Sequence, residues 1–114
     1  MFDAFKNLAN LPGLMAKARE MQEKIKSLQD ELARKQTSAE AGGGMVAAVV
    51  NGRMELVRLR IDRERVDVND IEMLEDLIVA AVNAAQVKAA QMAKDEMAKM
   101  AGDLGLPPGA IPGL

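Results

Sequence analysis

The sequence predicts an α+β protein: a long N-terminal helix, a small three-stranded antiparallel sheet built around a hairpin, and a long C-terminal helix. Three observations carry this. Leu14, Ala18, Met21, Ile25, Leu28 and Leu32 recur at steps of 4, 3, 4, 3 and 4, the seam of an amphipathic helix. Asn51-Gly52 lies between two runs that read as strands, Met45 to Val50 and Met54 to Ile61. Asn69-Asp70 then precedes a second apolar stripe at near-helical spacing, Ile71, Leu74, Ile78, Ala81, Ala85, Ala89 and Met92. With no internal repeat, this order gives one domain over residues 1–102 and a tail over 103–114.

The elements follow in order. Pro12 is placed to open the first helix, because proline is tolerated in a first turn, and the helix runs without a breaker to Gln36-Thr37-Ser38. From Leu14 to Lys35 it is on the order of 30 Å long. A small sheet cannot cover that length, so part of the helix projects. Residues 35–41 (KQTSAEA) form a short strand, and Gly42-Gly43-Gly44 marks a bulge or tight bend rather than a phosphate loop, since a strand follows and not a helix. Asn51-Gly52 suits a two-residue type I′ turn. Alternation places Val57, Leu59 and Ile61 on one face of the return strand and Leu56, Arg58 and Arg60 on the other. In the strand before it Met45, Ala47 and Val49 oppose Val46, Ala48 and Val50, so neither face is properly polar. Helices cover one side. The other, through Met45, Ala47, Val49 and Leu56, is expected to meet a second copy, giving a homodimer with projecting helical arms. Asn69 or Asp70 caps the second helix, with Glu72 placed for a capping box, and Glu72, Glu75 and Asp76 suit its positive end. The tail, rich in Pro and Gly, is flexible or draped over the surface.

Composition narrows the function. The 114 residues include no Cys and no His, so thiolate chemistry, disulfides and zinc-type sites are excluded, and Ser27 and Ser38 have no histidine to activate them. No catalytic residue, cofactor site or metal site is assigned, and the chain is expected not to be an enzyme. No apolar run approaches the roughly 20 residues that span a bilayer, and no signal peptide is present, which points to the cytoplasm and to no membrane partner. Met92, Met97 and Met100 read as packing residues. Phe2 and Phe5 are the only aromatics, which nearly excludes base stacking.

Specific motifs then recur together. Met1-Phe2, Met21-Gln22-Glu23-Lys24 in the first helix, Gly42-Gly43-Gly44-Met45-Val46, Asn51-Gly52, Ile61-Asp62, Glu72-Met73-Leu74-Glu75-Asp76-Leu77, Ala80-Ala81-Val82-Asn83 with Ala85, and Leu106-Pro107-Pro108-Gly109 span nearly the whole chain. In this order and spacing the sequence resembles the YbaB/EbfC family of bacterial nucleoid-associated proteins. The resemblance implies a homodimer whose sheets pack at the centre and whose helices project like tweezers. It further implies binding to double-stranded DNA with little sequence preference, location at the nucleoid, and no cofactor. Ala47 and Val49 depart from it, standing where polar residues are expected.

The basic residues are read in that light. Lys17, Arg19, Lys24, Lys26, Arg34 and Lys35 form the densest basic group on any element, and Glu20, Glu23, Asp30 and Glu31 are interleaved with them. By themselves they make an ordinary solvated face with i, i+4 pairs. The resemblance turns them into phosphate contacts, with Lys88 and Lys94 in support. Residues 1–35 carry seven Lys or Arg against five Asp or Glu, whereas residues 71–114 carry three against six, so the first helix is the better DNA arm. The surplus is small, which predicts weak binding that collapses at moderate salt. Arg53, Arg58 and Arg60 read as structural, covering a sheet face with their stems or pairing with Glu40, Glu55 or Asp62. A different class of function, an adaptor for recombination or replication proteins with incidental DNA binding, would use the heptad seam and the Met-rich helix end.

Overall fold

The computed structural model describes residues 11–105, so Met1-Phe2, Phe5 and the tail from Leu106 lie outside the described residues. The elements run helix α1 (Leu11–Arg34), strands β1 (Gln36–Ala41), β2 (Val46–Asn51) and β3 (Leu56–Ile61), and helix α2 (Ile71–Asp103). The sheet is a β1-β2-β3 meander, antiparallel throughout. This is the predicted α+β order.

One face of the sheet makes the core with α2. Val46, Ala48 and Val50 of β2 and Ala39 of β1 are buried against Ala81, Ala85 and Ala89. Alanine at every fourth position lets the helix backbone settle close to the sheet, and the half-buried Leu74, Leu77, Ile78 and Val82 seal the margins. Asp70 caps α2, its Oδ1 accepting the Met73 N–H at 3.1 Å. Between β1 and β2 Gly42, Gly43 and Gly44 all have positive φ, so the triplet is a tight bend that only glycine enters freely.

The β2–β3 connection differs from the expected two-residue turn. The Met54 N–H donates to the Asn51 carbonyl at 3.1 Å, and Met54, not Gly52, has positive φ. The loop is therefore longer, a turn followed by a left-handed residue. Gly52 is required for another reason. A Cβ there would lie 2.8 Å from the Leu32 carbonyl oxygen, because the end of α1 rests directly on this corner.

A register shift lies opposite Val49 and Val50: Val49 pairs with Arg58 but Val50 pairs with Leu56, leaving Val57 extra. Strict alternation therefore fails at Leu56. It falls on the helix side with Val50, and Met45, outside the strand, lines a hollow with Met73, Leu74 and Leu77. Of the four residues expected on the outer face, only Ala47 and Val49 are there. They lie between Ser38 and Glu40 on one side and Arg58 and Arg60 on the other. The outer face is thus largely polar, and the uncovered apolar surface is elsewhere. Among the described residues α2 lies over β1 and β2 and leaves the helix side of β3 bare: Leu56 and Val57 are 48% and 47% exposed.

Candidate nucleic-acid interface

The interface begins at the joint that holds α1. Only Leu28 and Leu32 of its seam are buried, and Leu14, Met21 and Ile25 remain exposed, so the helix projects as its length predicted. Its last turn is fixed by Asn51-Gly52. The Gly52 N–H donates to the carbonyls of Leu32 at 2.8 Å and Lys35 at 3.1 Å, supplying partners to carbonyls that a helix end leaves unsatisfied. The Asn51 Nδ2 donates to the Ala33 carbonyl at 3.3 Å and to Glu55 Oε1 at 3.1 Å, while its Oδ1 accepts the backbone N–H of Arg53 and of Glu55. Asn51 is the buried polar residue of the core region, and these contacts saturate it. The dipeptide read from sequence as a turn signal is also the socket of the arm.

A second tie is an ion pair. Lys35 Nζ donates to Glu96 Oε1 across from α2. This hydrogen bond raises the Lys35 ammonium above the usual lysine range and holds the Glu96 carboxyl below the usual carboxylate range. Partial burial opposes both shifts and Coulombic attraction reinforces them.

These contacts sort the predicted DNA residues. Lys17, Arg19, Lys26 and Arg34 are exposed on α1 and make no ion pair within 4 Å among the described residues. Lys24 is 3.5 Å from Glu20, an exposed i, i+4 pair that leaves it open to solvent. Lys35 is committed to Glu96. On α2, Lys88 donates to the Ser38 carbonyl at 3.0 Å, tying the helix to the β1 edge, and Lys94 is exposed. The structure thus groups Lys17, Arg19, Lys24, Lys26 and Arg34 on one arm and gives Lys35 and Lys88 positions that hold the frame. That division was hidden in the sequence, because the partners Ser38 and Glu96 are respectively 50 and 61 residues away.

The arginines beyond the arm divide as well. Arg53 is 3.8 Å from Glu55, and Arg65 donates to the Gly43 carbonyl at 3.0 Å and lies 3.9 Å from Asp62. Arg58 and Arg60 have neither kind of tie among the described residues. No group of three or more His, Cys, Asp or Glu among these residues is placed to hold a metal ion, and no described helix is long and apolar enough to cross a membrane.

A projecting helix with solvated cations and a small sheet to anchor it have the form of a surface for a large, charged partner. Comparison with known proteins makes this specific. Residues 6–104 match the model of the YbaB/EbfC DNA-binding family. The chain is 53% identical over 100 residues to a nucleoid-associated protein of Syntrophobacter fumaroxidans, covering 88% of this chain and 91% of that one. It is 50% identical over 98 residues to a nucleoid-associated protein of Thermoanaerobacter pseudethanolicus, covering 86% and 88%. The crystal structure of an uncharacterized protein from Helicobacter pylori superposes with a TM-score of 0.66 at 25% identity, over 76% of this chain and 91% of that one. The chain belongs to the YbaB/EbfC DNA-binding family, a non-enzymatic, architectural family.

Proposed function

We propose that the protein acts at the nucleoid, in the cytoplasm, as a homodimer that holds double-stranded DNA mainly by its phosphate backbone and reads little base sequence. The observation that carries this is α1, whose projecting part presents Lys17, Arg19, Lys24 and Lys26 to solvent and whose anchored end exposes Arg34. Flexible cations on an exposed helix suit phosphates, whose contacts position a protein without specifying sequence. The adaptor reading draws no support from family membership and gives way to DNA. The test is a fluorescence-anisotropy titration of a random-sequence duplex at several salt concentrations. Affinity should fall linearly in log salt, and Lys17→Ala with Lys24→Ala should flatten that slope by up to about 1.8 for each protomer whose arm contacts the duplex, at about 0.9 for each phosphate no longer neutralised. An unchanged slope would remove the arm from the interface.

The uncovered apolar surface supports the homodimer and moves its interface. Lys88 marks the β1 flank of α2, so at 100° per residue Val79 and Val82 turn towards β3, and Val87 turns away from the sheet. Val79, beside the bare helix side of β3, is 58% exposed, and Val87, on the far side of the helix, is 71% exposed. A twofold partner that lays its β3 over this α2 and receives the reciprocal contact would cover both surfaces with one self-complementary patch. The two sheets would then enclose the pair of α2 helices and turn their polar faces to solvent, in place of an interface through Ala47 and Val49.

A further inference from the structure

We propose that the outer face of the sheet, through Arg58 and Arg60, is a second contact surface for the phosphate backbone of duplex DNA. The proposal rests on the DNA-binding reading above and extends it from the arm to the sheet.

Arg58 and Arg60 are exposed and share one face of β3, about 7 Å apart at two strand residues. A duplex strand rises about 3.4 Å per phosphate along its axis while winding around it, which sets successive phosphates about 7 Å apart in space, so this separation matches two neighbouring phosphates. Arginines on a sheet face ordinarily meet a carboxylate directly across the ladder. Here the residues across are Val49 and Ala47, which offer no charge, and β3 is an edge strand with nothing beyond it. Ala47 is only 9% exposed although no helix covers its face, so the stems of its neighbours Arg60 and Glu40 shield it and leave their charged ends in water. The apolar centre thus serves as a bed for the stems while the guanidinium groups remain available. Glu40 is the one acid among the strand residues of this face, and it lies on the far strand. Arg34 at the end of α1 and Arg53 in the β2–β3 loop lie at the joint between α1 and the sheet, Arg53 with Glu55 3.8 Å away. At the Arg60 end the face opens on a hollow that Glu40, Asp62 and Glu64 share with Arg60, Arg63 and Arg65. Acids already stand beside those cations, which favours Arg58 as the freer of the two phosphate contacts.

The test compares full-length wild type with Arg58→Gln/Arg60→Gln, Arg58→Lys/Arg60→Lys and Lys17→Ala/Lys24→Ala on the same random-sequence duplex from 50 to 200 mM salt. Removing two phosphate-neutralising charges lowers the salt slope by about 1.8 for each protomer that lays this face on the duplex, so wild type should lose at least about twelvefold more affinity than the Gln variant across that range. The Lys variant keeps the charge and should keep most of the slope. Normal slope and affinity in the Gln variant, with the arm variant impaired, would overturn the sheet contact and leave the arm standing. Absence of binding by wild type at the lowest salt would overturn both. Competition by polyglutamate as effective, charge for charge, as unlabelled duplex would make this face a docking surface for acidic protein and overturn its assignment to DNA.

Discussion

A methyl group added at Gly52 would sit 2.8 Å from the Leu32 carbonyl oxygen and 2.9 Å from the Leu32 Cβ, so the α1 joint must open to admit it. Overpacking of this kind costs roughly 1–3 kcal/mol, and the hydrogen bond from the Gly52 N–H to Leu32 would be stretched as well. Gly13 is the internal control. It lies within α1, and a methyl group there would meet nothing within 4 Å, so Gly13→Ala should stabilise by about 0.5–1 kcal/mol through helix propensity alone. Thermal melts of the two variants are expected to move in opposite directions. Equal melts would show that the socket bears no load. Sequence made Asn51-Gly52 conspicuous as a turn, but contact with Leu32, twenty positions earlier, depends on how two elements meet and leaves no local pattern to read. The same holds for Leu56: alternation assigned its face, and a single extra residue in the ladder reversed the assignment.

At the scale of elements, the periodic stripes foretold both helices well because burial imposes their spacing. Ala81, Ala85 and Ala89 are buried as their spacing requires, and the early seam of α1 is exposed as its length requires. The link between the two helices was not legible, since Lys35 and Glu96 are ordinary charges until the fold brings them together. That link has a pH signature. Glu96 has a lowered folded-state pKa, so its contribution is present above the ordinary carboxylate value and fades as pH falls through the lowered one. Lys35 has a raised pKa, so its contribution is complete below the ordinary lysine value and fades only as pH rises through the raised one. The tie therefore persists across neutral pH and fails in acid. Glu96→Gln should increase amide exchange in the last turns of α1 at pH 7, and the difference from wild type should close as pH drops below the usual carboxylate range. A difference that persists in acid would mean that α1 is held by other contacts.

The described residues form an elongated body, and their apolar surface is divided between a core under α2 and a strip along β3 and α2 that no described element covers. Sequence foresaw an apolar sheet face left bare and put it on the side of Ala47 and Val49, whereas among the described residues the exposed apolar side chains of the sheet are Leu56, Val57 and Leu59, because which strands a helix overlies is a tertiary choice. If the dimer buries the helix side of β3, Val57→Asp should elute as a smaller species on a sizing column while Val49→Asp elutes unchanged. The reverse pattern would restore the outer face as the interface. The joint at Gly52 matters at this scale too, as a fulcrum. From Leu32 to Leu11 the arm is roughly 32 Å long, so a tilt of about 10° at its root carries the tip some 5–6 Å. That is about the width of a DNA minor groove. Angular tolerance of a few degrees at the joint therefore governs which phosphates the tip can reach.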